Sequence, residues 1–266
     1  MIGRQRVKRA LAEVAPPAPG GGTRVLLYHA VDDPDPPDPL ALRVPRQRFV
    51  EQMTFLRDAG YAVVPVAAAL NPPPDDRVRV AITFDDGYRS QRFAADVLRQ
   101  FGFPATFFLV PRFLDGVTAP SAYWEHWGYL GWDEAATLLD DGFEIGAHSR
   151  THRVLTTCPE EELGSEVAGS KSRLEEGLRR PIGSFSYPHG RQNSRVRRAV
   201  AQAGFVLACG SRFGLNRPAA VAPHSIRRTE ITGTDTMQDF RSKVLGKHDW
   251  FGYWQDARVL LDRQGD

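Results

Sequence analysis

The chain has only two cysteines, Cys158 and Cys209, among its 266 residues. Two thiols cannot build a disulfide framework, and neither sits in a CxxC pair, so both read as free thiols of a reducing compartment. Long hydrophobic runs are also missing. No stretch approaches the ~20 apolar residues of a transmembrane helix. The N-terminus, "MIGRQRVKRALAEVAPPAPGGGTR", starts basic, but no apolar run of about 7–15 residues follows it, as a secretory leader requires. It reads as a short helical or disordered tail with a flexible Pro/Gly linker over residues 1–22. Excess charge is absent too: 34 Lys and Arg against 32 Asp and Glu leave a net +2. Such a balance gives no reason to expect nucleic acid or an anionic membrane as partner. There is no repeat with a period of about 20–50 residues. These absences point to a cytoplasmic protein without a transmembrane segment.

What is present is ordinary core-forming material, 42% hydrophobic and 25% charged, patterned as strands alternating with helices. "TRVLLYHAV" has the character of a buried strand, and "DDPDPPDP" after it is a polar loop, because proline fits neither a helix interior nor a central strand. "PRQRFVEQMTFLRDAGYAVV" reads as an amphipathic helix with Phe49, Met53 and Leu56 on one face, then a strand. The alternation continues through "VRVAITF", "YRSQRFAADVLRQFG", "PATFFLV", "WDEAATLLDDG", "FEIGAH", "PEEELGSEVAGSKSRLEEGLR", "IGSFSYP", "RQNSRVRRAVAQAG", "FVLACG" and "SIRRTEIT". Sustained alternation implies an α/β fold with a parallel sheet and helices outside it. Periodicity leaves a barrel and an open doubly wound sheet equally open. Both architectures place chemistry at the C-terminal ends of strands.

Two polar groups fall at such ends. Asp85 and Asp86 close the strand "VAITF", with Gly87 free to turn the backbone. His148 and His152 follow the strand "FEIGA", and their spacing puts them on one face if the segment begins a helix. Two imidazoles and a carboxylate suit a catalytic zinc or another first-row divalent ion such as Co, Ni, Mn or Fe. A cation also explains the acid pair. One aspartate can be a ligand, and its neighbour then stays ionised as a general base toward water.

"TFDDGY", "GAHSRTH" and "FSYPHG", in this order, resemble the first three motifs of the NodB-homology polysaccharide deacetylases. "VLLYHAV", "GWDEAATLLDDGFEIGAH" and "RRTEI" fit the same pattern, and the likeness spans 23–245, leaving 246–266 as a C-terminal tail or helix. The resemblance implies an irregular (β/α) barrel, parallel strands inside outer helices, that hydrolyses N-acetyl groups of carbohydrates with one divalent metal, zinc first among the candidates. It implies Asp85 as general base and Asp86, His148 and His152 as metal ligands. Ser149 would brace the histidine loop. The backbone N–H of His189 would stabilise the oxyanion, since Pro188 has none to give, and Gly190 would serve the turn. Tyr187 and His29 would contribute to the substrate pocket or support it.

The chain departs from the family pattern twice. Many members carry an arginine at the position of Ser186, where it orients the catalytic aspartate. Here Arg228 is the best substitute, as a bidentate partner of Asp85. The general acid is usually a histidine on a late strand; His224 is the candidate, with His189 or water on the cation as alternatives. In "SAYWEHWGYLGW", Trp124, Trp127 and Trp132 either stack on sugar rings or pack the loop onto the barrel; His126 and His248 read as surface residues. The implied substrate is an N-acetylhexosamine unit of a saccharide, glycolipid or polysaccharide. The alternatives are hydrolysis of a non-sugar or cyclic amide, and a carbohydrate-binding protein without catalysis.

Overall fold

The computed structural model describes residues 20–33, 38–73, 75–117 and 127–252, together with Leu11, Ala15, Pro16 and Gln255. Seven strands form the main sheet: β1 (Gly22–Tyr28), β2 (Val78–Phe84), β3 (Thr106–Leu109), β4 (Glu144–Ala147), β5 (Ser184–Ser186), β6 (Leu207–Cys209) and β7 (Thr229–Glu230). Their spatial order is β6-β5-β4-β3-β2-β1-β7, and every pairing is parallel. A doubly wound sheet reverses its order at a switch point. This order never reverses, and the last strand lies beside the first. Ile226 bridges to Cys209 at the far edge, and the Gly210 N–H donates to the Ile226 carbonyl at 2.9 Å. The 226–230 segment thus touches both edges of the sheet and curls it into an irregular (β/α) barrel.

Side chains alternate across this curved sheet, as the two-residue period of a strand requires. Leu26, Tyr28, Val80, Ile82, Phe84, Phe107, Ile145 and Phe185 pack outward into one large core beneath the helices. Val25, Ala81, Phe108, Leu207 and Cys209 belong to a second cluster, on the inner face. Gly146 shows how tightly that interior is filled: a Cβ there would sit 2.4 Å from the Phe108 ring and 2.7 Å from Ser184 Oγ.

The helices are α1 (Arg46–Asp58), α2 (Gln91–Phe101), α3 (Pro111–Leu114), α4 (Trp132–Asp140), α5 (Glu160–Leu178), α6 (Ser194–Gln202) and α7 (Met237–Val244). In α1 the buried residues are Phe49, Gln52, Met53 and Leu56, the spacing of one apolar stripe. The short helix α3 and a small pair of strands, Ala30–Val31 with Arg43–Val44, are not in the sequence reading, and two further differences have a clear local cause. The strand expected after Gly60 shrinks to a bridge between Val63 and Val80, because after Pro65 the chain turns into a 3-10 helix over Val66–Leu70. Helix α7, absent from that reading, is started by a capping box in which Thr236 Oγ1 accepts from the Asp239 N–H at 3.1 Å. No helix of the described residues is long and apolar enough to cross a membrane.

Candidate active site

A cavity of about 490 Å³ opens at the C-terminal ends of the strands and is lined by Asp85, Asp86, His148, His152, His189, His29 and Arg228. Strict alternation would send Asp85 and Asp86 to opposite faces of the sheet. Instead Asp86 adopts φ 73° and Gly87 φ 75°. This left-handed turn, which aspartate tolerates better than most residues, brings both carboxylates to one cavity.

Asp85 is gripped from several sides. Arg228 Nη1 and Nη2 donate to its two oxygens at 2.7 Å each, and Ser186 Oγ donates to Oδ2 at 3.0 Å. The guanidinium is itself held by the Gly210 carbonyl, 2.7 Å from Nε, and has no exposed surface. Ser186 therefore stands beside Asp85 as a small hydroxyl, and the cationic partner arrives from β7. Burial pushes the Asp85 carboxyl up, but the Arg228 charge and the neighbouring imidazole of His148 outweigh it and hold its pKa below the ordinary aspartate value.

Asp86, His148 and His152 present ligand atoms that all lie within 4.8 Å of one another. His148 Nδ1 is 2.8 Å from the Ser186 carbonyl, which can only accept. Nδ1 is therefore the donor to that carbonyl, and Nε2 faces Asp86. Nε2 of His148 and of His152 lie 3.3 and 3.1 Å from Asp86 Oδ1. That oxygen is nevertheless buried with no hydrogen-bond partner among the described residues. Donor atoms at metal–ligand distances of about 2.0–2.1 Å span tetrahedral edges of roughly 3.4 Å, close to these separations. The orphaned oxygen and two imidazole nitrogens thus fit a divalent cation. Burial raises the Asp86 carboxyl, yet the His152 charge and the imidazole contacts drive it well below its ordinary value. His152 is raised in turn: burial lowers it, and Asp86 more than compensates.

The histidines are not on a helix. Ser149 and His152 both take left-handed backbone angles, φ 57° and 63°, and Ser149 Oγ accepts from the His152 N–H at 3.0 Å. A knotted turn, not helical spacing, brings the imidazoles to 4.9 Å between ring centroids. His189 also has positive φ, 58°, and its ring packs 4.8 Å from that of His152. Burial, and then the charge of His152, pushes its imidazole down to about 4.

Two expected residues lie elsewhere. His224 does not line the cavity; its Nε2 meets the Phe205 carbonyl at 2.8 Å, behind the sheet edge. Tyr187 is fully buried in the outer core, and its hydroxyl donates to the His224 carbonyl at 3.0 Å. Strand alternation explains it: with Ser186 facing inward, Tyr187 must face outward.

Other residues enter the cavity without a signal of their own. His248, read as a surface residue, is buried and lines the wall with the buried Asp235 and Lys243 and the half-buried Glu230. The Arg24–Asp249 ion pair, 2.6 Å, ties that C-terminal segment to β1. Phe113 and Tyr129 stack with centroids 4.2 Å apart, and Tyr88 stacks on Tyr129 at 5.2 Å, giving the cavity an aromatic wall. Trp127 packs against Tyr88 under Arg43, and Trp132 lies under Arg173; neither lines the cavity. Trp124 and His126 lie outside the described residues.

The fold is a singly wound parallel barrel whose strand ends gather two aspartates and two histidines, three of which could hold a metal ion. Comparison with known proteins narrows this. The polysaccharide deacetylase profile matches residues 73–208, and the chain belongs to that family. YxkH of Bacillus subtilis is 28% identical over 188 residues, 69% of this chain and 62% of that protein. The peptidoglycan-N-acetylglucosamine deacetylase of Bacillus cereus is 29% identical over 136 residues, 50% of this chain and 56% of its own. The chain thus spans about three fifths of the length of these curated relatives. The Streptococcus pyogenes deacetylase PplD, solved with acetate, superposes with a TM-score of 0.71 at 22% identity, covering 86% of this chain and 99% of its own; this likeness shows the fold.

Proposed function

We propose that the protein is a metal-dependent carbohydrate N-deacetylase that hydrolyses the N-acetyl group of an N-acetylhexosamine unit. The observation that carries this reading is the division of labour between adjacent aspartates. Asp85 is held bidentately by Arg228, and Asp86 faces two imidazole nitrogens with an unpartnered oxygen. Membership of the polysaccharide deacetylase family supports the substrate class.

Asp86, His148 and His152 would hold the cation. When bound, a divalent ion there supplies Lewis-acid stabilisation of developing oxyanion charge and lowers the pKa of water. Asp85 takes the proton from the attacking water. Arg228 and Ser186 fix the Asp85 carboxylate, so no reorientation is needed at the moment of transfer. The His189 N–H would stabilise the tetrahedral oxyanion. Collapse of that intermediate breaks the C–N bond and needs a proton on the departing amine. His29 is the histidine best placed to give it. It lines the cavity at the end of β1, next to β2, and its Nδ1 is buried without a partner. His189, held neutral down to about pH 4, is a poorer donor near neutrality.

The test is acetate release from N-acetylglucosamine oligomers by metal-loaded, chelator-stripped and reloaded protein. The proposal predicts loss on stripping and recovery on reloading. Unchanged release after full metal removal would overturn it. Activity confined to small amides or cyclic amides would move the same machinery to another substrate class.

A further inference from the structure

The turn joining His148 to His152 is held by a residue remote from it in sequence. Ser149 and His152 both sit in the left-handed region, which non-glycine residues hold only where their surroundings enforce it. The described contacts show the enforcement. The Arg150 N–H donates to the Glu166 carbonyl at 2.9 Å. The Thr151 N–H donates to Glu166 Oε2 at 2.9 Å, and Thr151 Oγ1 donates to Oε1 at 2.6 Å. One residue of α5 therefore takes three hydrogen bonds from the two central residues of the turn. Its side chain lies on the buried face of that helix with Leu163, Val167 and Ser170. No cation pairs with this carboxylate among the described residues. Arg112, Arg150 and Arg173 line the same pocket, yet the carboxylate is bonded to Thr151 of the turn.

We infer that Glu166 is a positioning residue for the cation site, clamping the 150–151 backbone so that His152 is aimed at Asp86 before any metal arrives. This rests on the reading of Asp86, His148 and His152 as ligands. Preorganisation of this kind changes affinity by sparing the ion the work of ordering the loop. Glu166 touches neither the reacting atoms nor the cation; it acts through the turn.

The experiment is cation affinity without substrate. Zn²⁺ binding is measured by competition with a chromophoric chelator, and the ligand field is read from the absorption spectrum of the Co²⁺-loaded protein. The full chain is compared with Glu166→Ala, Glu166→Gln and Thr151→Val. Glu166→Ala should weaken Zn²⁺ binding by about 10–100-fold and alter the Co²⁺ spectrum. Glu166→Gln keeps one acceptor oxygen and the carbonyl and should recover part of the loss. Thr151→Val deletes only the Oγ1 bond, and should weaken binding several-fold even if Glu166→Ala fails to fold. Wild-type affinity and spectrum in folded Glu166→Ala, or in Thr151→Val, would overturn the inference. Wild-type protein that binds Zn²⁺ yet releases no acetate would sink the proposed activity and leave the clamp standing; wild-type protein that binds no divalent cation would overturn both.

Discussion

Arg228 and Asp85 form a fully buried, bidentate ion pair, and the consequences of breaking it are asymmetric. Removing one partner strands a charge in the protein interior, at a cost of about 3–5 kcal/mol. Asp85→Asn and Arg228→Met should each lower stability by that order, while the double variant should be more stable than the less stable of the two singles. Urea unfolding of all four proteins checks this double-mutant cycle. The pair also sets an acid limit. The folded Asp85 carboxyl lies below its unfolded value, so the unfolded chain binds more protons as pH falls. Its stabilisation is complete above the unfolded carboxylate range and drains away as pH drops through the folded value. Wild-type protein should therefore lose stability more steeply below about pH 4 than the double variant. For catalysis, His29→Gln should cut the rate of acetate release by about 10²–10⁴-fold with cation content preserved. Steady-state kinetics with metal analysis checks it; an unchanged rate would remove His29 from proton donation. Asp85, Asp86, His148 and His152 were legible as candidates because they cluster just past apolar strands, in stretches that resemble the deacetylase motifs. His29 ended an apolar run too, but no local pattern distinguishes a proton donor from a packed core histidine. His224 reads as the family's late-strand histidine, but its position in a short loop before β7 carries the ring to the Phe205 carbonyl instead of the cavity.

At the scale of elements, alternation carried much of the information. The period-two pattern of β5 places Ser184 and Ser186 inward and Phe185 and Tyr187 outward, so applying it one residue past the strand would have sent Tyr187 to the core. The histidine turn was not readable in this way. A spacing of four suggests a helix face, whereas the chain uses two left-handed residues and a remote glutamate to reach the same convergence. Long-range hydrogen bonds of that kind leave no mark on hydrophobic periodicity. The order of strands was equally silent in the pattern, and it is the 226–230 segment, pairing with β1 and bridging to Cys209 at the other edge, that separates a barrel from an open sheet. Gly146 lies on β4 where the inner face is most crowded. Gly146→Ala should push Phe108 and Ser184 apart and destabilise the protein by about 1–3 kcal/mol. Thermal unfolding should report a fall of roughly 2–4 °C per kcal/mol; an unchanged midpoint would mean the barrel interior yields more easily than its spacing indicates.

For the whole molecule, the cavity is assembled from segments at both ends of the chain. His29 comes from the end of β1, and His248 from beyond α7, brought in through the Arg24–Asp249 pair. Sequence reading set residues after 245 apart as a tail or helix; in the fold His248, Phe251 and Gln255 supply part of the wall. A site gathered this way should couple cation binding to global stability. Zn²⁺ at about a hundred times its dissociation constant should add about 2.7 kcal/mol, read as a rise in melting temperature that a chelator reverses. The central claim is that neighbouring aspartates do different jobs, and one paired measurement tests it most directly. Cation content and acetate release are determined side by side for Asp85→Asn and Asp86→Asn. The account predicts that Asp85→Asn keeps its cation and releases no acetate, while Asp86→Asn loses the cation. A cation-free Asp85→Asn, or one that still turns over, would contradict it.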